Sequence, residues 1–329
     1  MKKKIAFYSP HMGLRGTEVA LFDFAKYNEE ILDNLSYVIY NDKHRSNHLS
    51  VIEKFKDRFG ERLISLKHEN GDFSWNSKIT VPLMDNVLKS NGCDAVFMQK
   101  FGNNDGVVSN FCKTFVMCAA PVCEPHGTVY SYVSEWLSET ASNGKYPFVP
   151  AIVDLPDIQG DLRHTLGISR DAIVFGRTGG LDTWNLHWAS EVIKKVVNEN
   201  DNVYFVFQNT PQFYMHNQIK YIPSTADMEF KVKFINTCDA MIHARIEGES
   251  FGSACGEFSI KNKPIVTWFG SKDRNHIETL GNDAYYYNNP SELEMVLKNF
   301  KILDKKWDNY KKFSPENVMK KFKEVYLNG

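Results

Sequence analysis

Ala240-Met-Ile-His243, then Glu247-Gly-Glu-Ser-Phe-Gly-Ser-Ala-Cys-Gly-Glu257, then Pro264-Ile-Val-Thr267 is the stretch that decides the fold. Two short apolar runs of strand length flank a loop of small and acidic residues, and the spacing predicts a helix from about Gly252. A strand, a helix and a second strand in that order form a parallel unit with a right-handed crossover. Gly252, Ser253 and Ala254 carry little side chain, so the first-turn N–H groups stay accessible to an anion. Glu249 falls in the loop at the helix mouth and Glu257 about one and a half turns in, so both can border one ligand.

The same rhythm extends in both directions. Ile173-Val-Phe175 leads to a helical pattern at 184–198, followed by Val203-Tyr-Phe-Val-Phe207 and a helical pattern at 227–237. In the first half, Ile5-Ala-Phe-Tyr8 precedes a helical pattern at 17–30, and Tyr37-Val-Ile-Tyr40 precedes one at 48–59 in which Leu49, Ile52 and Phe55 recur. Ala95-Val-Phe-Met98 and Phe115-Val-Met-Cys118 continue the strands, and a helix near 133–142 closes that half. The expectation is an α/β protein of two Rossmann-like doubly wound domains facing each other across a cleft. The expected boundaries are 1–150 for the first domain, 151–168 for a linker and 169–303 for the second domain. Residues 304–329 are expected to form a helical segment that packs back on the first domain, with Ser314-Pro315-Glu316 as N-cap and first turn.

Composition narrows the function. At about 150 residues per domain, 329 residues suit two domains, and 43% hydrophobic with 13% aromatic residues is enough for two cores. With 39 basic and 40 acidic side chains the net charge is −1, which argues against a dedicated nucleic-acid binder. Residues 301–329 hold eight lysines against four acids, a local +4. This invites peripheral contact with an anionic membrane face, the alternative being a solvated helix face. Only Ile5-Ala-Phe7 follows the basic Met1-Lys-Lys-Lys4 before polar residues, too short for a signal peptide, so a cytoplasmic protein is expected. The six cysteines form no CxxC and no zinc-ligand spacing and are expected to be free thiols.

Open α/β sheets bind ligands at the carboxyl ends of their strands. Besides the Glu249 loop, two others qualify. Ser9-Pro-His-Met-Gly-Leu-Arg-Gly-Thr-Glu18 offers Gly13 and Gly16 before a helix start, but matches neither GxGxxG nor GxxxxGK[ST], and the alternative is a plain turn. Gly176-Arg-Thr-Gly-Gly180 sets Arg177 and Thr178 beside two glycines; the alternative is an arginine paired with a carboxylate.

Taken together, these residues resemble the retaining GT-B glycosyltransferases of family four. Glu249-Ser-Phe-Gly…Glu257…Asn262-Lys-Pro-Ile-Val266 is similar to that family's EGFG…E…GKPVV stretch, with Ser250 replacing a glycine. Arg177 falls where the family has a phosphate-binding arginine. Arg15-Gly-Thr-Glu18 resembles its GGxE loop, with Arg15 in place of the first glycine, and Phe313-Ser-Pro-Glu-Asn-Val318 resembles the start of its final helix.

The resemblance implies a donor pocket made by Gly16, Arg177, Thr178, Ile222, Ser250, Phe251, Gly252, Ser253 and Glu257. In it Glu257 would hold the ribose, Glu249 the transferred sugar, Arg177 and the backbone at Gly16 the diphosphate, and the backbone of Ile222 the base. With Glu249 and Arg177, His126 in Glu124-Pro-His-Gly127 would serve the reaction; its alternative is a turn histidine. Tyr130, Tyr132 and Trp136 would line an acceptor cleft or else pack a core. The family's lysine after the arginine is missing, since Asp182 and Thr183 stand there; Lys231 and Lys272 are candidates for the second charge. With no Asp-x-Asp triplet in the chain, no metal and no cofactor are expected. The implied substrates are a UDP- or GDP-sugar and a glycan or lipid-linked acceptor. The alternatives are a UDP-sugar epimerase and a non-catalytic sugar-nucleotide-binding subunit.

Overall fold

The structure is a computed structural model, and it describes residues 2–68, 73 and 76–328. The chain divides into two compact units, Met1–Ile152 with Phe313–Gly329, and Val153–Lys312.

In the first unit strands and helices alternate as β1 (Lys4–Ser9), α1 (Gly16–Glu30), β2 (Leu35–Asn41), α2 (Leu49–Phe59), β3 (Leu63–Leu66), α3 (Ser77–Asn91), β4 (Ala95–Lys100), β5 (Lys113–Cys118), β6 (Val129–Tyr132) and α4 (Glu135–Ser142). The sheet order is β3-β2-β1-β4-β5-β6, with every pairing parallel. Strands covered on both faces are apolar throughout, as in β1, where Ile5, Ala6 and Phe7 are fully buried.

The second unit continues with α5 (Arg163–Leu166), β7 (Ile173–Arg177), α6 (His187–Glu199), β8 (Val203–Gln208), β9 (Ile219–Ile222), α7 (Met228–Thr237), β10 (Ala240–His243), β11 (Gly248–Glu249), α8 (Ser253–Ile260), β12 (Ile265–Trp268), β13 (Asp273–Arg274), α9 (Asn275–Leu280), β14 (Tyr285–Tyr287) and α10 (Pro290–Asn299). Its main sheet, β14-β12-β10-β7-β8-β9, is also wholly parallel and repeats the order of the first. In each sheet the chain goes outward over three strands and then returns past the first. The switch points therefore lie between β1 and β4 and between β7 and β10.

The chain ends in α11 (Pro315–Phe322), N-capped by Ser314, whose side chain accepts from the Asn317 N–H. Phe322 stacks among Phe7, Phe24 and Phe97 at ring-centroid distances of 6.4, 5.4 and 5.5 Å. Tyr326 lies 5.2 Å from Phe115 and hydrogen-bonds Ser131. Within the stretch read as a linker, Arg163 pairs with Asp239 at 2.8 Å and donates to four carbonyls, so this segment is bound into the second unit.

Several local expectations change. Leu49 is 69% exposed, and α2 buries Val51, Phe55 and Phe59 instead, because Leu49 sits in the first turn on the outer side. Val133 precedes α4, whose N-cap is Ser134. Tyr130 and Tyr132 belong to β6 and are core residues; both hydroxyls donate to the Val122 carbonyl, so they line no acceptor cleft. All six cysteines are free. Among the described residues no helix is long and apolar enough to cross a membrane.

Candidate sugar-nucleotide site

The site is built at the β7/β10 switch point of the second unit. Beyond β10 the chain makes a short parallel pairing, β11 with β13, that places Gly248 opposite Asp273 and Glu249 opposite Arg274. Gly248 adopts φ +73°, and a Cβ there would stand 2.1 Å from the Asp273 carbonyl oxygen, so only glycine allows this close approach. The pairing fixes where Glu249 leaves the backbone. Its Oε1 lies 3.1 Å from His243 Nε2 and its Oε2 3.2 Å from an Arg245 terminal nitrogen. Burial works to raise the Glu249 pKa, but the His243 hydrogen bond and the Arg245 charge outweigh it and hold the carboxyl at about 2.

Two residues further on, the Phe251 carbonyl accepts from Asn275 Nδ2 at 2.8 Å and Tyr310 Oη at 2.9 Å. Gly252, at φ +91°, then caps α8 with no side chain, and a Cβ there would come 2.9 Å from Tyr310 Oη. The α8 N-terminus thus has no side-chain cap and carries only the small Ser253 and Ala254 in its first turn. Ser250 and Phe251 connect Glu249 to this cap. Glu257 lies on α8, 8% exposed, in an ion pair with Lys231 from α7. Lys231 is thereby committed to Glu257, and Lys272 is exposed. Neither presents itself beside Arg177.

Arg177 closes β7 and is 3% exposed. Its two terminal nitrogens donate to five protein oxygens: the Gln208 and Asn209 carbonyls, Thr210 Oγ1, the Gly180 carbonyl and Thr183 Oγ1. Burial lowers its pKa to about 10, so the group stays charged at neutral pH. It is a clamp joining the loops after β7 and β8, and it offers a ligand positive charge rather than an unoccupied bidentate fork. Thr183, where the family pattern has lysine, is one of the clamp's acceptors. Thr178 Oγ1 donates to Gln208 Oε1 at 2.9 Å, and the Ile222 carbonyl accepts from the Asn209 N–H at 3.2 Å. The ends of β7, β8 and β9 are thus tied together.

The first unit has its own cluster at the carboxyl ends of β4 and β5. Gly127, at φ +79° with a would-be Cβ 2.9 Å from the Thr114 carbonyl, turns the chain after His126. His126 is buried, with Nδ1 2.7 Å from the Glu124 carbonyl and Nε2 3.2 Å from Lys100 Nζ. Lys100 also donates to Asp105 at 2.6 Å and to the Val107 carbonyl at 2.8 Å. Burial, reinforced by the Lys100 charge, pushes the His126 pKa down. At the β1 end, Gly16 opens α1 with nothing within 4 Å of a would-be Cβ, and His11 Nδ1 lies 2.8 Å from the buried Glu18 carboxylate. Among the described residues no group of three or more His, Cys, Asp and Glu is arranged to hold a metal ion.

Sequence reasoning missed Lys100, Arg245, Thr267 and His276, and saw His243 only as a strand end. The signal was there: Lys100 and His243 are polar residues ending strands that flank the two switch points.

The two parallel sheets in this order define the class of fold, that of the GT-B glycosyltransferase structures. HepE from Anabaena, solved in complex with UDP-glucose, superposes with a TM-score of 0.73 at 12% identity over 99% of this chain and 100% of HepE. A glycosyltransferase from Rickettsia africae matches with a TM-score of 0.65 at 15% identity, over 99% of this chain and 95% of that one. A putative UDP-N-acetylglucosamine 2-epimerase from Listeria monocytogenes matches with a TM-score of 0.63 at 13% identity, over 100% of this chain and 97% of that one. No protein-family model matches the chain, and no curated protein matches it in sequence.

Proposed function

We propose that the chain is a glycosyltransferase that moves a sugar from a UDP- or GDP-sugar to a hydroxyl of a glycan or lipid-linked acceptor, with retention of configuration and without a metal. The observation that carries this reading is Glu249, a fixed carboxylate beside the uncapped N-terminus of α8, with Glu257 one turn into the same helix. A sugar nucleotide needs acceptors for its hydroxyls and positive potential for its diphosphate. Glu249 supplies acceptor oxygens to the sugar, and Glu257, steadied by Lys231, supplies them to the ribose. The α8 N–H groups and the Arg177 charge stabilise the negative charge that grows on the diphosphate as the anomeric C–O bond breaks. The acceptor oxygen then bonds to the anomeric carbon, and its proton leaves with the departing nucleotide.

The test is thermal denaturation with UDP, GDP and their sugars, followed by assay of nucleotide release with an acceptor panel. A ligand at 100 times its Kd stabilises by about 2.7 kcal/mol. Stabilisation by one diphosphate and its sugar, lost in Glu257→Ala, supports the reading, and no stabilisation by any of them overturns it. An epimerase is the second reading, favoured by the shared fold of the Listeria protein. It requires the donor to isomerise with no acceptor present. The exposed lysines of the tail support peripheral contact with an anionic membrane, which flotation with anionic vesicles tests.

A further inference from the structure

Glu249 ends a line of hydrogen bonds that runs from the switch point into the core of the second unit. His243 Nε2 is 3.1 Å from Glu249 Oε1, His243 Nδ1 is 2.9 Å from Thr267 Oγ1, and Thr267 Oγ1 is 3.2 Å from His276 Nε2. The three residues come from β10, β12 and α9, and none is more than 6% exposed.

The direction of every bond follows from its end. An ionised carboxylate only accepts, so His243 Nε2 donates to it. At the far end His276 Nδ1 is buried with no hydrogen-bond partner among the described residues, so His276 carries its proton on Nε2 and donates to Thr267 Oγ1. The proton of Thr267 itself is left with His243 Nδ1 as its acceptor among the described residues. An unpartnered acceptor costs less than an unpartnered donor, which is why the His276 end sets the direction of the line. Burial also keeps the His276 pKa down at about 3.

We propose that His243, Thr267 and His276 are positioning residues that commit Glu249 Oε1 to His243, so that the other oxygen faces the hydroxyls of the donor sugar. The inference rests on the glycosyltransferase reading for its substrate, but not for the line of bonds. Three separate backbone elements fix the imidazole, and the imidazole fixes the carboxylate. Arg245 holds the remaining oxygen at 3.2 Å without exhausting its lone pairs. Thr267 is the informative link because it touches neither ligand nor carboxylate.

Thr267→Val removes the hydroxyl at nearly constant shape, and Thr267→Ser keeps it. Long-range ¹H–¹⁵N NMR of the wild type is expected to show both His243 and His276 as Nε2–H tautomers. The valine variant takes away the donor to His243 Nδ1 and is expected to move that ¹⁵N resonance downfield, and the serine variant to restore it. A doubly protonated or Nδ1–H His243 in the wild type, or an unmoved His243 Nδ1 resonance in the valine variant, overturns the line. Binding is then measured with UDP and UDP-glucose, and with GDP and GDP-mannose. The valine variant is expected to bind the nucleotide within twofold of wild type and to lose tenfold or more for the nucleotide sugar, with serine recovering it. Equal losses for both ligands, or no loss for either, overturn the positioning role. If the wild type binds none of the four, the glycosyltransferase reading fails, while the tautomers still decide the line.

Discussion

His126 Nε2 lies 3.2 Å from Lys100 Nζ, while His126 Nδ1 lies 2.7 Å from the Glu124 carbonyl oxygen. An ammonium can only donate and a carbonyl can only accept, so this imidazole carries its proton on Nδ1 and gives its Nε2 lone pair to the lysine. Both nitrogens are in use, which makes His126 a bracket for the loops after β4 and β5. Burial comes first in lowering its pKa, with the Lys100 charge adding to it. Lys100→Met is expected to raise the His126 midpoint toward or above the ordinary 6.5, followed by histidine NMR titration; an unmoved midpoint would show that Lys100 does not govern the ring.

Arg177 stitches together two loops through five oxygens. Arg177→Met strands these acceptors in a buried site, each with a desolvation cost of about 1–3 kcal/mol, partly relieved by water. A net loss of roughly 3 kcal/mol is expected in urea unfolding of the second unit. Arg177→Lys keeps the charge but not the fork and should recover less than half of it.

Gly248→Ala is expected to be more damaging to the site than to the fold. The new methyl meets the Asp273 carbonyl at 2.1 Å in a backbone region unfavourable to side chains, so β11 must part from β13. We expect about 1–3 kcal/mol of destabilisation and a loss of sugar-nucleotide turnover of at least tenfold. Circular dichroism melts and nucleotide-release assays on the same preparation separate the two effects.

Acid weakens the second unit in two stages. His276 has a folded pKa of about 3 against an unperturbed 6.5, so below pH 6.5 the unfolded chain binds a proton that the native ring refuses. Stability falls by up to about 1.4 kcal/mol per pH unit between 6.5 and 3 from this group. Glu249, with a folded pKa of about 2 against 4.5, contributes stability that is complete above pH 4.5 and lost as pH falls toward 2. Denaturant midpoints recorded from pH 7 to 4.5 should decline less steeply in His276→Gln than in wild type. Parallel declines would remove His276 as the source.

Much of the fold is legible in local pattern. Apolar runs such as Ile5-Ala-Phe-Tyr8 and Ala240-Met-Ile-His243 announce buried parallel strands, because a strand covered on both faces has no polar face to show. Ser314-Pro315-Glu316 announces the last helix through its capping chemistry. The weaker strands β3 and β6 escape because Leu63–Leu66 and Val129–Tyr132 mix polar with apolar residues and owe their strand state to their neighbours. Tyr130 and Tyr132 were open to two readings for the same reason, and only the register of β6 with β5 assigns them to the core.

The sequence by itself determined the alternation of strands and helices outside such segments as β3, α3 and β6, the glycine that caps α8 and the spacing of Glu249 and Glu257, since each depends on neighbours a few residues away. Tertiary structure alone decided what each polar group is bonded to. Arg177 looks like an open phosphate fork until Gln208, Asn209 and Thr210 arrive from the next strand to fill it. Glu249 looks like a solitary loop acid until β12 and α9 bring Thr267 and His276 behind His243. Hydrogen bonds have short reach and strict direction, so partners 24 to 33 residues apart become visible only when the sheet has brought them together.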